Sequence, residues 1–329
     1  LPGEGRVVGR ALTSDPRISG VAFTGSTATA RMIQAAMVEN MAPGAPLIAE
    51  TGGLNAMIVD STALPEQAVR DIVASAFQSA GQRCSALRCL YVQEDVEPAF
   101  RKMLIGAMNE LELGDPWALE TDIGPVITET ARADIDGYIA EAQRTGRLLH
   151  TLTTPNRGNF VAPTLIRVNG IADLEKEVFG PVLHLATFKA SKVDKVIADV
   201  NATGYGLTFG LHTRIDTRVQ DIADSVNAGN IYVNRNQIGA IVGSQPFGGE
   251  GLSGTGPKAG GPNYLPRFTS DKVEQIGAET GEPIDPAQLE AAIAAAQADC
   301  AKLANRQIDM PGPTGELNRL TLVARGPVL

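Results

Sequence analysis

The sequence predicts an α/β fold built from doubly wound parallel sheets. Short runs of β-branched and apolar residues alternate with amphipathic helical stretches along most of the chain. The 35 glycines and 20 prolines are scattered rather than clustered, which is typical of a protein with many tight connections. Because strands separated by helices of this length pair in parallel, we expect helices on both faces of each sheet.

The predicted helices and strands alternate along the chain. Helix 66–79 carries apolar residues at helical spacing on one face, Gly146 closes helix 130–144, and Asp285 caps helix 287–305. The predicted strands cover residues 21–24, 47–49, 57–59, 89–92, 182–188, 209–212, 231–234 and 319–324. The remaining predicted helices cover residues 30–39, 97–109, 192–201 and 217–226.

The composition is that of a globular protein. Apolar residues make up 43% of the 329 positions, charged residues 20%, and the mean hydropathy is −0.01. The net charge of −9 argues against a nucleic-acid surface, which needs clustered Lys and Arg. No apolar run reaches the roughly 18 residues of a membrane-spanning helix. The start has neither an initiator Met nor a signal-peptide pattern, so we expect part of a longer, cytoplasmic protein, with membrane association of the intact protein left open.

The 3 cysteines indicate neither a disulfide framework nor a metal site. An odd and sparse set suits a reducing compartment. Cys84 and Cys89 are spaced like half of a zinc site, but Cys300 and the 3 histidines offer no second close pair of ligands. We therefore expect no metal.

The stretch G-Q-R-C-S at 81–85 is the most informative for chemistry. It comes after a predicted helix, so its cysteine emerges from rigid structure onto a loop, as a nucleophile requires. A thiol with an ordinary pKa of about 8.5 needs nearby positive charge or dipoles to form the thiolate, and Arg83 is a candidate for that charge. The alternative for Cys84 is a small buried apolar residue, which is our interpretation of Cys89, inside a predicted strand.

Three further stretches carry reactive or ligand-binding residue types. Glu50, at a strand end before two glycines, can act as a general base toward water, or it can solvate a turn. The strand-to-helix junction F-T-G-S-T at 23–27 favours a phosphate, although the usual G-x-G-x-x-G is absent. Glu177 can bond ribose hydroxyls and Phe179 can stack beside a ring, or both can close a turn.

Together these motifs resemble the NAD(P)-dependent aldehyde dehydrogenases. F-T-G-S-T, E-T-G-G, G-Q-R-C, E-V-F-G-P-V and P-F-G-G-x-G-x-S-G occur in that family's order and at compatible separations. The resemblance implies an aldehyde dehydrogenase-like fold with a partial NAD-binding domain and a catalytic domain. It implies Cys84 as the nucleophile and Glu50 as the general base. It also implies NAD as the cofactor, held by Thr24, Gly25, Ser26, Thr51, Gly52, Glu177 and Phe179.

The later part of the chain resembles one subfamily more closely. The segments at 230–237 and 253–262 are similar to L-glutamate γ-semialdehyde (pyrroline-5-carboxylate) dehydrogenases. The segment M-P-G-P-T-G-E at 310–316 is similar to the segment directly after the dehydrogenase half of bifunctional bacterial proline utilisation proteins. The resemblance implies oxidation of L-glutamate γ-semialdehyde to L-glutamate through a cysteine thiohemiacetal and thioester, the second step of proline catabolism. FAD would belong to a proline dehydrogenase domain absent from this chain.

The substrate of that subfamily carries a carboxylate. Consecutive glycines let successive backbone N–H groups converge on such an anion. By resemblance, Gly260 and Gly261 would anchor the carboxylate with the hydroxyl of Ser85. Phe77 and Phe268 would line the pocket around the aliphatic chain of the substrate. The alternative for the two glycines is a tight turn.

The resemblance also predicts the domain organisation. Residues 1–50 would be the C-terminal part of an NAD-binding domain and 51–250 the catalytic domain. Residues 251–276 would form a substrate-anchor loop and return segment, and 277–329 a linker, a helix and the start of a C-terminal extension.

The family's oxyanion-hole Asn and adenosine-binding Lys have no counterpart here. Two alternatives stay open: a dehydrogenase for another semialdehyde acid, and an inactive piece or structural module. The intact protein is expected to be a homo-oligomer.

Overall fold

The computed structural model describes residues 1–269, 285–303 and 306–323. Its α-helices are α1 (Gly5–Thr13), α2 (Thr27–Asn40), α3 (Pro65–Phe77), α4 (Glu97–Asn109), α5 (Glu129–Arg144), α6 (Val193–Ala202), α7 (Asp216–Ser225) and α8 (Pro286–Leu303). Its strands are β1 (Val21–Gly25), β2 (Leu47–Thr51), β3 (Ala56–Val59), β4 (Cys89–Gln93), β5 (Leu148–Thr151), β6 (Thr164–Arg167), β7 (Val182–Phe188), β8 (Tyr205–Gly206), β9 (Thr208–His212), β10 (Asn230–Val233), β11 (Glu250–Gly251), β12 (Gln307–Met310) and β13 (Asn318–Thr321). The ends of the predicted helix 287–305 and strand 319–324, and most of the predicted linker, lie outside the described residues.

A seven-stranded sheet in the order β10-β9-β3-β4-β7-β6-β5 forms the centre of the fold. Its neighbouring strands pair in parallel, except that β5 pairs with β6 in antiparallel fashion. Successive residues of a strand face opposite sides. Met57 and Leu90 therefore enter one hydrophobic core with α3, α4 and α5, whereas Ile58 and Tyr91 enter a second core with α6 and α7. The prediction of a doubly wound α/β fold is confirmed.

A second, two-stranded parallel sheet joins β1 to β2. Helix α2 comes after β1 and begins at Thr27, earlier than the predicted start at residue 30. The reason is a local cap: the side-chain oxygen of Ser26 accepts a hydrogen bond of 3.1 Å from the N–H of Thr29. Such a cap satisfies one of the free amides of the first helical turn and so favours an early start.

Six of the described α-helices and strands were not predicted from the sequence: α1, β5, β6, β8, β11 and β12. Helix α1 contains Gly5 and Gly9, and glycine lowers helix propensity by about 1 kcal/mol relative to alanine. Strands β5, β6 and β12 have four residues each and β8 and β11 two each, and they lack the uninterrupted apolar run that made the four-residue β3 predictable. Their conformation is set by pairing with neighbouring strands rather than by their own composition.

The chain divides into two compact units. The first comprises Leu1–Gly239 and Gly248–Gly256, and the second Ala240–Phe247 and Pro257–Leu329. The described part of the second unit contains a 3₁₀ turn at Leu265–Phe268, helix α8 and the antiparallel pair β12–β13. The four-part domain division stays a prediction. None of the helices in the described ranges has the length and apolar character needed to cross a bilayer.

Candidate active site

The loop that carries Cys84 lies with several polar residues at the amino edge of the seven-stranded sheet. Because β3 and β4 are parallel neighbours, α3 must return the chain to the edge at which β4 begins. Asn55 comes directly before β3, Arg88 directly before β4, and Thr208 begins β9. The parallel order of these strands places the three residues at the same edge, together with the loop after α3.

Left-handed backbone carries the chain from α3 toward the predicted nucleophile. Ser79, Ala80 and Gly81 have φ angles of 57°, 53° and 64°. A Cβ atom at Gly81 would overlap the carbonyl group of Gly180, so this position requires glycine for both conformation and space. The glycine of the G-Q-R-C motif is therefore explained by the close approach of two loops.

Cys84 occupies a central position of a β-turn. The N–H of Ala86 donates to the carbonyl oxygen of Arg83 at 3.0 Å, which makes Cys84 and Ser85 the two central residues. The side-chain amide of Asn55 donates to the carbonyl oxygens of Cys84 (2.7 Å) and Ala86 (2.9 Å). Asn55 is buried, so the turn is held in place from inside the protein.

Arg88 is a buried cation beside this turn. Its Nη1 donates to the carbonyl oxygens of Gly81 (2.8 Å) and Gly180 (3.1 Å). Its Nη2 and Nε donate to the carboxylate of Glu177 at 3.0 and 3.3 Å. The guanidinium carbon lies 5.4 Å from the ring centroid of Phe179. These partners satisfy a charge that would otherwise be very unfavourable inside the protein.

The sulfur of Cys84 lies among opposing electrostatic influences. Burial raises the pKa of the Cys84 thiol above its ordinary value, and the nearby carboxylates of Glu177 and Glu50 raise it further. Hydrogen bonds from the backbone N–H groups of Ser85 and of Cys84 itself lower this pKa. Arg88 interacts electrostatically with Cys84. The sequence-based candidate for this charge, Arg83, directs its Nε to the hydroxyl of Ser79 at 3.1 Å instead.

Glu50 is held in a pocket of glycines. Its Oε2 accepts a hydrogen bond of 2.8 Å from the N–H of Gly249. A Cβ atom at Gly254 would lie 2.8 Å from the same oxygen. Both glycines belong to the P-F-G-G-x-G-x-S-G motif, which therefore leaves room for this carboxylate. Since the charge of Glu50 also acts on Cys84, the two predicted catalytic residues lie within electrostatic reach of each other.

The pairing of β1 with β2 brings two groups of expected cofactor residues together. Thr24 pairs with Glu50, and Gly25 pairs with Thr51. Thr24, Gly25 and Ser26 are exposed, and Ser26 stands at the amino end of α2. An exposed helix amino end directly after a strand is suited to a phosphate group.

The other expected cofactor residues lie beside Arg88. The N–H of Gly53 donates to the carboxylate of Glu177, and a Cβ atom at Gly52 would overlap that carboxylate. Burial raises the pKa of Glu177, while Arg88 and the Gly53 N–H lower it. Phe179 is 46% exposed, so one face of its ring is available to a ligand.

The expected substrate residues of the first unit are Ser85 and Phe77. Ser85 is buried in the same turn as Cys84. Phe77 has no exposed surface and packs in the hydrophobic core that α3 shares with α4. Its expected place on a substrate wall therefore has no support in the structure, because a fully buried ring presents no face to a ligand.

The remaining expected substrate residues belong to the second unit. Gly260 has a φ of +70°, which favours glycine. The N–H of Gly261 donates to the carbonyl oxygen of Lys258 at 3.1 Å, as in the tight turn that was the alternative for this glycine pair. Phe268 ends the 3₁₀ turn and is 40% exposed.

Sequence reasoning missed Arg88 and Asn55. Arg88 interrupts the apolar run A-L-R-C-L-Y-V at 86–92, and a charged residue in a run that becomes buried must find a partner. That interruption was the available signal. Asn55 stands between the E-T-G-G motif and a buried strand, where a polar side chain indicates a hydrogen-bonding role but not its partner.

Comparison with known proteins agrees with this arrangement. The model of the aldehyde dehydrogenase family matches residues 1–273, and the chain therefore belongs to that family. Among its relatives, the bifunctional protein PutA of Escherichia coli is 48% identical over an alignment 365 positions long, which covers 100% of this chain and 28% of that protein.

Solved structures give the same result. A variant of proline utilization A (PutA) from Bradyrhizobium japonicum superposes with a TM-score of 0.78 at 53% identity, covering 81% of this chain and 27% of that one. A 1-pyrroline-5-carboxylate dehydrogenase from Thermus with bound NAD superposes with a TM-score of 0.74 at 34% identity, covering 82% and 52%. The chain thus spans about a quarter of the bifunctional relatives and about half of the smaller dehydrogenase.

Proposed function

We propose that the protein carrying this chain oxidises L-glutamate γ-semialdehyde to L-glutamate with NAD as the oxidant. The observation that carries this proposal is the Cys84 turn, whose carbonyl groups the buried Asn55 holds at 2.7 and 2.9 Å, with Glu50 within electrostatic reach of the sulfur. Kinship with a 1-pyrroline-5-carboxylate dehydrogenase and with PutA proteins supports the substrate class.

The first step is attack of the Cys84 thiolate on the aldehyde carbon. A carbon–sulfur bond forms and the carbonyl oxygen becomes an oxyanion, giving a thiohemiacetal after protonation. Backbone N–H donors favour the anionic forms, and loss of one such donor in other enzymes slows turnover by about 100- to 1,000-fold. Because burial raises the thiol pKa, the donors and Arg88 are needed to make the thiolate accessible near neutral pH.

The residues around the turn fit NAD. The exposed amino end of α2, with Thr24, Gly25 and Ser26, is suited to the pyrophosphate. Glu177 and the exposed ring of Phe179 are suited to the nicotinamide ribose and ring, with Thr51 at the end of β2 and Gly52 directly after it. When bound, the nicotinamide would supply the two-electron acceptor: the thiohemiacetal carbon would lose a hydride and its hydroxyl a proton, which leaves a thioester.

Glu50 completes the cycle as a general base. Its carboxylate takes a proton from water as the water oxygen attacks the thioester carbonyl. The carbon–sulfur bond then breaks, L-glutamate is released and the Cys84 thiolate is regenerated. The hydrogen bond from Gly249 holds one carboxylate oxygen in a defined place for this transfer.

The substrate carboxylate is assigned to Ser85, Gly260 and Gly261, and the aliphatic chain to Phe268. This reaction would be the second step of proline catabolism in a cytoplasmic homo-oligomer, and FAD would belong to a proline-oxidising domain outside this chain. These assignments derive from the resemblance of the motifs and from the names of the relatives.

The test is NADH formation by the intact protein. With L-glutamate γ-semialdehyde, Cys84→Ala is expected to abolish NADH formation, while Cys89→Ala, at a fully buried core position, retains it. Retained activity in Cys84→Ala would reject the assignment. Comparable rates with succinate semialdehyde or simple aliphatic aldehydes would favour another semialdehyde substrate instead.

A further inference from the structure

The carbonyl groups of the Cys84 turn are held by buried side chains. The carbonyl oxygen of Ser85 accepts hydrogen bonds from Thr208 Oγ1 at 3.2 Å and from Gln237 Nε2 at 3.3 Å. Asn55 holds the carbonyl oxygens of the residues on either side of Ser85. Three consecutive carbonyl groups of the turn therefore face the protein interior.

The side chains that hold these carbonyls form one connected group, here called the carbonyl clamp: Asn55, Thr208 and Gln237. Asn55 Oδ1 accepts the N–H of Thr208 at 3.1 Å, and Gln237 Nε2 donates to Thr208 Oγ1 at 3.3 Å. Their exposed fractions are 2%, 3% and 0%. Because the group is buried and internally bonded, it provides a rigid base for the turn.

The clamp determines where the amides of the turn point. In a trans peptide the C=O and the next residue's N–H point in opposite directions. With the Cys84 carbonyl directed inward to Asn55, the N–H of Ser85 must point outward. It reaches the Cys84 sulfur there, where its hydrogen bond lowers the thiol pKa.

We propose that Asn55, Thr208 and Gln237 are positioning residues that set the reactivity of the Cys84 thiolate. Asn55 fixes the Cys84–Ser85 peptide plane, whose N–H reaches the sulfur. Thr208 and Gln237 fix the next plane at Ser85, and the Thr208 N–H holds the Asn55 side chain, so loosening this second plane also displaces the donor. This inference rests on the proposed function only in taking Cys84 as the nucleophile. Without the clamp the peptide planes can rotate, the donor leaves the sulfur, and the thiolate loses stabilisation.

The experiment measures alkylation of Cys84 by iodoacetamide in the intact protein across pH, without cofactor or substrate. Mass spectrometry locates the modified residue. In the double variant Thr208→Val, Gln237→Met, the Ser85 carbonyl loses both donors while side-chain volume changes little. We expect the midpoint of the rate profile to rise by about one pH unit. The rate below the midpoint then falls about tenfold, while the high-pH plateau is retained.

Two further variants separate positioning from a loss of stability. Thr208→Ser keeps the hydroxyl and should retain the native midpoint. Ser75→Ala alters the same buried region, because Ser75 Oγ accepts the N–H of Gln237, but it leaves the carbonyls of the turn bonded. It should lower thermal stability without moving the midpoint.

The outcomes distinguish the two proposals. An unshifted midpoint in the double variant, with alkylation still at Cys84, overturns the role of the clamp and leaves the proposed function intact. If Cys84 in the unaltered protein resists alkylation throughout the pH range, the assignment of the nucleophile fails, and the inference fails with it. Asn55→Ala should give a larger shift than the double variant, and if it does not fold, the double variant decides.

Discussion

Arg88 Nη2 lies 3.0 Å from Glu177 Oε1, and the side chain of Arg88 is 1% exposed in this ion pair. Burial lowers the pKa of Arg88 and raises that of Glu177, in spite of their mutual attraction. The free-energy cost of desolvating the two charges therefore offsets much of the electrostatic stabilisation that the pair provides. The ion pair instead fixes the position of the guanidinium, which also donates to the carbonyl oxygens of Gly81 and Gly180 and so holds the two loops together.

Replacing Arg88 by methionine should destabilise the protein strongly. The change leaves Glu177 buried without its cation and removes the donor to the two carbonyls, and breaking a buried pair in this way costs about 3–5 kcal/mol. Urea denaturation gives the free energy of unfolding. The control is Arg144→Met, which removes an exposed pair with Glu141 and should change stability by less than about 1 kcal/mol. Equal effects of the two substitutions would contradict this account.

Gly81→Ala should be destabilising by more than about 2 kcal/mol, because a Cβ atom there overlaps the Gly180 carbonyl and the φ of +64° disfavours a side chain. Gly137→Ala provides the opposite case. It lies inside α5 with no atom within 4 Å of the added carbon, and it should stabilise the helix by about 0.5–1 kcal/mol. Thermal or urea unfolding of both variants checks the pair, and a destabilised Gly137→Ala would be the unexpected result.

Glu50→Gln should separate the two halves of the proposed reaction. Glutamine retains an oxygen that can accept the N–H of Gly249, so the fold around it is preserved, but it cannot take a proton from water. We expect a rapid burst of NADH close to one per site, and then turnover reduced by about 100- to 10,000-fold. Stopped-flow absorbance records both phases. Loss of the burst together with turnover would place Glu50 in acylation rather than in thioester hydrolysis.

His184 should make the protein sensitive to mild acid. Its Nε2 bonds to the hydroxyl of Tyr138 and its Nδ1 to the carbonyl of Arg88, both at 2.8 Å, and burial lowers its pKa from 6.5 to about 4. Below pH 6.5 His184 binds a proton in the unfolded chain but stays neutral in the folded protein until the pH approaches 4. Stability is therefore fully present above pH 6.5 and declines as the pH falls toward 4.

The contribution of His184 to this decline approaches about 1.4 kcal/mol per pH unit. Unfolding free energies measured between pH 7 and pH 4 should fall less steeply in His184→Gln than in the unaltered protein. The same slope in both proteins would show that His184 does not take up a proton on unfolding in this range.

Much of the fold was predictable because its signals are local. Alternating helices and strands predicted the doubly wound sheet. The position of Cys89 inside a predicted strand correctly indicated that it is buried. Helix α4 was predicted with its observed bounds, Glu97–Asn109. The short strands β5 and β6 escaped prediction because they depend on β7 beside them. Phe77 shows the limit for the site: the family resemblance implied that it lines the substrate pocket, but its ring lies in the core.

The sequence was enough to predict most of the strands and helices, and to identify Cys84, Glu50 and Glu177 as residues of types suited to catalysis or ligand binding. Only the tertiary structure decided that the amino ends of β3, β4 and β9 meet at one edge and that Arg88 pairs with Glu177 there. It also decided that Asn55 holds the Cys84 turn from inside. The physical reason is distance along the chain. Burial patterns and turn preferences act over a few neighbouring residues, whereas these contacts join residues tens of positions apart through the order in which parallel strands pair.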